Sequence, residues 1–276
     1  MDLVPDLGSL AAAAGIGYGL YGAQLFVRQA SIVFKPTRTH FGDPSSLGCR
    51  FDHVRLETRG RQLHGWWIDG SEAGRTFLFL PGSIGNISRD LHTFALLQSV
   101  GGTVLAIDYP GFGTSEGRPS EAGCYAAAEA AWDYIVGERR VPPENVVIFG
   151  RSVGAAVAAW LAARRPCGAL VCQSPLTSIA DVAARSYPLL PTRFFCYVRF
   201  NTRRHIAQCR CPVLVMHSEE DTVIPIEQGY RVFERARPPK RFLQIGGDHY
   251  GDAWQQTPRV RDTLRELAVG REGVWA

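Results

Sequence analysis

Five residues, Gly150-Arg151-Ser152-Val153-Gly154, join a continuous apolar stretch, Asn145–Phe149, to a run of small residues, Ala155-Ala156-Val157-Ala158-Ala159. The apolar stretch has the character of a buried strand and the small-residue run that of a helix, so the chain must pass from strand to helix within this short segment. Such a turn forces the central residue into strained backbone, and glycines on either side leave room for strand and helix to pack closely. The Ser152 hydroxyl is thereby presented at a helix N-terminus, where the dipole favours developing negative charge. A serine held this way has the geometry of a nucleophile, and the context restricts the fold to strands alternating with helices.

The rest of the chain repeats that alternation. Strand-like runs fall at Phe77–Leu80, Thr103–Asp108, Val146–Phe149, Leu170–Cys172, Val213–His217 and Phe242–Ile245. Most are apolar throughout, as in a parallel sheet covered on both faces. Helical patterns fall at Arg89–Ser99, Glu121–Glu138, Val153–Arg165 and Glu227–Arg237. Upstream, Arg59-Gly60 separates two strand-like runs within Phe51–Asp69, predicting an antiparallel hairpin at the sheet edge. The expected class is α/β: a mostly parallel central sheet with helices on both faces. One irregular stretch, 175–208, interrupts the pattern with Pro175, Pro188, Pro191 and the aromatic run from Phe194 to Phe200. Its position predicts a small cap over the strand ends, where open α/β sheets place their ligands.

A serine hydroxyl needs a general base, and the base needs an orienting acid. On this architecture the order along the chain is serine, acid, histidine. Of the seven histidines, His249 alone follows the strand-end loop that carries Asp221. Asp221 is the expected acid, although Glu219 and Glu220 are adjacent; Asp248 neighbours His249 along the chain and is poorly placed to point at its ring. The tetrahedral oxygen requires two backbone N–H donors. Val153 is expected to supply one, and the loop Pro81–Asn86 the other, at Ser83 or alternatively Ile84.

Composition narrows the remaining classes. Of 276 residues, 46% are hydrophobic and 20% charged, which excludes a disordered chain. The net charge of +4 is spread along the sequence without a basic block, so nucleic acid is not an expected partner. Seven cysteines at irregular spacing form neither a disulfide framework nor a zinc pattern, and they predict mostly buried thiols in a reducing compartment.

At the N-terminus, Leu7–Val27 contains no charged residue. At 1.5 Å per residue this run reaches about 30 Å, the thickness of a bilayer core. The start is acidic (Asp2, Asp6), unlike a secretory signal, and Arg28, Lys35 and Arg38 follow the run. Residues 1–30 therefore read as an apolar transmembrane helix that anchors a hydrolytic domain, 31–276, with the bulk of the chain on the cytoplasmic side. A helix packed on a soluble cytoplasmic domain is the alternative.

These motifs together resemble the α/β-hydrolase-fold serine hydrolases. The resemblance is carried by Val33-Phe34-Lys35-Pro36-Thr37, Asp108-Tyr109-Pro110-Gly111-Phe112-Gly113-Thr114-Ser115-Glu116-Gly117, Gly150–Gly154, Ser174-Pro175-Leu176-Thr177-Ser178 and Asp221-Thr222-Val223-Ile224-Pro225. Within the superfamily, the chain is similar to the membrane-anchored α/β-hydrolase domain-containing branch that includes protein depalmitoylases. It departs from that branch at Pro81-Gly82-Ser83, where the family usually carries His-Gly-Asn, a change that keeps a backbone donor. The resemblance implies an ester or thioester hydrolase with no metal or organic cofactor; the aromatic insertion and the apolar N-terminal helix point to small-molecule or lipid-like acyl substrates. A peptidase or amidase on the same triad, and a non-catalytic binding protein on a hydrolase fold, are the alternatives.

Overall fold

The computed structural model describes residues 7–71 and 73–270. Asp2 and Asp6, the acidic start of the N-terminal segment, lie outside the described residues. Among the described residues, the apolar runs assemble into one eight-stranded sheet: β1 (Phe51–Thr58), β2 (Arg61–Ile68), β3 (Thr76–Leu80), β4 (Thr103–Ile107), β5 (Val146–Arg151), β6 (Ala169–Gln173), β7 (Val213–Ser218) and β8 (Lys240–Ile245). Their spatial order is β1-β2-β4-β3-β5-β6-β7-β8. The first two strands run antiparallel and β2 meets β4 antiparallel; every other pairing is parallel. The expected hairpin thus forms one edge. Its turn places both Arg59 (φ 51°) and Gly60 (φ 70°) in left-handed backbone, the geometry that matches strand twist.

Strands β3, β5, β6 and β7 are buried at every residue, which is why their sequences lack alternation. Successive side chains still divide between faces. Leu78, Leu80 and Ile148 pack with α3 (Glu121–Asp133), α4 (Val153–Ala162) and α8 (Ile226–Arg235). Phe77, Phe79 and Phe149 point to the other face, against Phe94 and Leu97 of α2 (Leu91–Ser99) and Leu264 of α9 (Pro258–Ala268). Helices therefore cover both faces, as the sequence predicts.

The structure differs from the sequence reading in its details. Helix α3 ends at Asp133 and continues as one wider π turn, Tyr134–Glu138. Helix α4 stops at Ala162, short of the basic pair Arg164-Arg165. Helix α9, with Pro at its first position and Val260, Leu264 and Leu267 buried at helical spacing, is an element the strand–helix reading does not include. The N-terminal helix α1 covers Leu7–Val33, runs past residue 30 and includes Arg28. Among the described residues all seven cysteines are free thiols, five of them buried.

Between β6 and β7 the expected insertion contains three short helices, α5 (Ile179–Ser186), α6 (Thr192–Phe195) and α7 (Thr202–Ile206). Its return to the body is fixed at Glu121, whose carboxylate accepts from the main-chain N–H groups of Arg199 (2.6 Å) and Phe200 (2.9 Å). The Phe200 ring packs edge-on against Phe34, just past α1. Helix α1, the insertion and the body meet at this point.

Candidate active site

Ser152 lies between β5 and α4 with φ 55° and ψ −119°, left-handed backbone that a non-glycine residue adopts only under constraint. Part of the constraint is the hydrogen bond from its N–H to Gln173 O of β6, 2.8 Å. The flanking glycines supply the rest. A Cβ at Gly150 would collide with the Gly154 carbonyl, and one at Gly154 with the carbonyls of Leu80 and Pro81. The Gly-x-Ser-x-Gly pattern is thus a record of backbone passing against backbone.

The strand ends bring the other expected residues to this serine. Asp221 follows β7 and His249 follows β8. His249 Nε2 is 2.9 Å from Ser152 Oγ, and Nδ1 is 2.6 Å from Asp221 Oδ2. Asp221 Oδ1 accepts from the N–H groups of Val223 (3.0 Å) and Ile224 (2.8 Å). Burial pushes the Asp221 carboxyl up, but hydrogen bonds from His217, His249 and Ile224 outweigh it and hold the group well below the usual carboxylate range. An ionised Asp221 keeps the His249 proton on Nδ1 and leaves Nε2 free to accept from the serine. The neighbouring acids turn elsewhere: Glu219 and Glu220 are exposed, and Asp248 Oδ1 accepts from Gly251 N–H.

Two supporting groups escape the sequence reading. His217, fully buried at the end of β7, places Nε2 2.8 Å from Ile224 O and 3.4 Å from Asp221 Oδ2. Because the carbonyl only accepts, Nε2 carries the proton, and His217 fastens the acid loop. Arg151, inside the glycine motif, lies 2.6 Å from Asp90 Oδ1 and donates to His249 O at 3.1 Å. The position between glycine and serine carries no signal for this role, since the partners lie 61 and 98 residues away.

Ser83 and Ile84 line the same cavity as Ser152 and Val153, and the loop bearing them is stitched to the segment after α1. Lys35 N–H donates to Ser83 O (2.8 Å) and Thr37 N–H to Gly85 O (2.9 Å). Val153 opens α4, whose first N–H groups are not used within the helix. Behind the loop, Asp108 Oδ1 accepts from Ile87 N–H at 2.9 Å. Its Oδ2 faces His40 Nε2 (2.7 Å) and His64 Nδ1 (3.4 Å), while His64 Nε2 meets His53 Nδ1 at 3.1 Å. His40, His64 and Asp108 are thereby a set of metal-type ligand atoms within 4.8 Å of one another. One run of protons, from His53 to His64 to Asp108 and from His40 to Asp108, already satisfies them, so the cluster is complete as a hydrogen-bonded brace.

The cavity beside Ser152 measures about 320 Å³. Ile32 and Val33 of α1 and Leu176, Ile179, Val182 and Tyr187 of the insertion give its lining an apolar part, and Arg151, Ser152 and His249 line it too. The insertion thus contributes to the lining of the cavity that holds Ser152.

Comparison with known proteins accords with this architecture. Residues 75–205 match the alpha/beta hydrolase fold family. Alpha/beta hydrolase domain-containing protein 17B of Xenopus tropicalis is 33% identical over 197 residues, covering 71% of this chain and 67% of that protein. The chain belongs to the α/β-hydrolase family. An uncharacterized protein of Mycobacterium tuberculosis strain H37Rv is 34% identical to this hydrolase over 258 residues, 90% of this chain and 92% of its own. Among solved structures, the esterase Pf2001 of Pyrococcus furiosus shares the fold of the hydrolase. Its TM-score is 0.68 at 22% identity, over 84% of this chain and 97% of that one.

Proposed function

We propose that the protein is a serine hydrolase that cleaves carboxylic ester or thioester bonds through an acyl-enzyme formed on Ser152. The observation that carries this reading is the continuous path from Ser152 Oγ to His249 Nε2 (2.9 Å) and from His249 Nδ1 to Asp221 (2.6 Å). His249 takes the serine proton as Oγ attacks the carbonyl carbon. Asp221, held ionised, stabilises the imidazolium that results. The N–H groups of Val153 and Ser83 receive the oxyanion. The protonated His249 then gives its proton to the leaving alcohol or thiol, and a water activated by the same histidine releases the acid.

The apolar wall built by α1 and the cap supports an acyl group of lipid-like character. Helix α1 also supports membrane association: Leu10–Val33 is long and apolar enough to enter a bilayer, and little of it is buried in the protein. Arg28, Lys35 and Arg38 favour the cytoplasmic side for the hydrolase body.

The test is hydrolysis of p-nitrophenyl esters of increasing chain length by wild type and Ser152→Ala. Wild-type turnover that rises from acetyl to longer chains and vanishes in the variant is expected. Equal activity in the variant contradicts the nucleophile assignment, and turnover restricted to acetyl esters contradicts the lipid-like substrate.

A further inference from the structure

Helix α1 is long enough to cross a bilayer, yet it does not stand free of the body. Tyr18, Gly22, Phe26 and Gln29, at spacings of four, four and three, form one stripe along the helix. This stripe lies on the cap. Tyr18 Oη donates to Leu189 O at 2.6 Å, and Gly22 is buried with its α-carbon facing the Phe195 ring. Phe26 packs edge-on against Tyr197 with ring centroids 5.3 Å apart. The Gln29 side chain donates to Phe195 O (2.7 Å) and accepts from Tyr197 N–H (2.9 Å). Gln29 lies eleven positions beyond Tyr18, about 16 Å along the helix axis.

That docking conflicts with a crossing helix. Were Leu10–Val33 to span the bilayer, the contacts from Tyr18 to Gln29 would fall in the middle of the hydrocarbon. The cap segment between Tyr187 and Tyr197, only four residues of it helical (Thr192–Phe195) and carrying Arg193, would then be immersed in lipid, where non-helical backbone and a charged side chain are costly. The side of α1 turned away from the cap suits a shallower position. Ile16 (65% exposed), Leu20 (67%) and Val27 (76%) share it with Gln24 and Ser31. Such a mixture fits the boundary between headgroups and acyl chains better than the bilayer centre. On the cap, Leu189 (83% exposed) and Phe194 (88%) extend the apolar surface.

We propose that α1 does not cross the membrane: α1 and the cap enter one leaflet together as a monotopic surface, with Ile16, Leu20, Val27, Leu189 and Phe194 against lipid. This rests on the membrane association argued above. Ile32 and Val33 in the last turn of α1 and Tyr187 of the cap line the cavity beside Ser152, so the two elements that enter the leaflet also border the site, and an acyl chain reaches the serine from the leaflet.

The experiment uses the full chain with epitope tags at both ends, inserted in bacterial membranes and exposed to protease in spheroplasts and in inverted vesicles. Both tags are expected to be cleaved from the cytoplasmic side and protected from the other. Tags on opposite sides overturn the proposal. In a second measurement, flotation with vesicles of phosphatidylcholine and phosphatidylglycerol compares wild type with the Leu189→Glu/Phe194→Glu variant. The variant is expected to lose about tenfold in vesicle-bound fraction and to keep its hydrolysis of p-nitrophenyl butyrate in detergent. Undiminished flotation overturns the cap's part. Failure of the wild type to float overturns membrane association itself, and loss of Ser152-dependent turnover with the topology intact would instead count against the catalytic reading.

Discussion

Arg151 donates to the main-chain oxygen of His249 at 3.1 Å, so the residue before the serine also holds the loop of the histidine. Asp90 fixes the same guanidinium at 2.6 Å, and both partners are largely buried. Only a planar fork serves both acceptors in this geometry. Replacing Arg151 by Met strands the Asp90 charge, and stability is expected to fall by about 3–5 kcal/mol in chemical denaturation. Arg151→Lys retains the charge without the fork. Its kcat is expected to fall by about 10²-fold through misplacement of His249, with KM little changed. Wild-type kcat in the lysine variant would show that the contact does no positioning.

Asp221→Asn separates the orienting role from the fold. The asparagine retains Oδ1 for the Val223 and Ile224 N–H groups but presents an amide donor to His249 Nδ1, which reverses the imidazole tautomer. A loss of about 10⁴-fold in kcat in a variant that still folds, with a melting temperature lowered by loss of the ionised carboxylate, is the expected outcome. A loss below about tenfold would move the acid role elsewhere, to Glu219 or Glu220.

Gly154→Ala tests the elbow. The added methyl meets the carbonyls of Leu80 and Pro81, main-chain atoms that cannot turn aside. We expect destabilisation of about 3 kcal/mol or more, read as insoluble expression or a large drop in melting temperature. A soluble, fully active variant would contradict the packing account of the motif.

Acid should weaken the fold in two stages. His205 is pushed down to about 4 by burial and by Arg164 and Arg204. Unfolded chains take up that proton near pH 6.5, so the unfolded state gains protons first and stability falls as pH drops from about 6.5 toward 4. Asp221 and Asp108 lie below the usual carboxylate range, because hydrogen bonds outweigh the burial that raises each. Their contribution is fully present above about pH 4 and is lost below it. Melting temperature followed across this range should show both limbs, and His205→Gln should flatten the upper one only. An upper limb unchanged in that variant would rule His205 out as its source.

How far the sequence carries this account differs from residue to residue. Ser152 is legible because backbone crowding writes itself into adjacent glycines, and Asp221 and His249 because parallel strands deliver their ends to one edge in chain order. The continuous burial of β3, β5, β6 and β7 is visible for the same reason, since only apolar residues fill both faces. Arg151–Asp90, His217 and the His40–Asp108–His64 brace are not legible. Each joins residues whose proximity is created by the assembled sheet, and a lone arginine or histidine in sequence looks the same whether it braces a site or faces water. Helix α1 is readable as apolar, but its docking depends on Tyr18 and Gln29 finding the cap about 170 residues away.

The most direct measurement is intact-mass and peptide mass spectrometry after exposure to a fluorophosphonate, on wild type and Ser152→Ala. A single covalent adduct on the peptide containing Ser152 is expected in the wild type and none in the variant. An unlabelled wild type, or an adduct that persists on another residue in the variant, would contradict a serine nucleophile at the strand–helix turn.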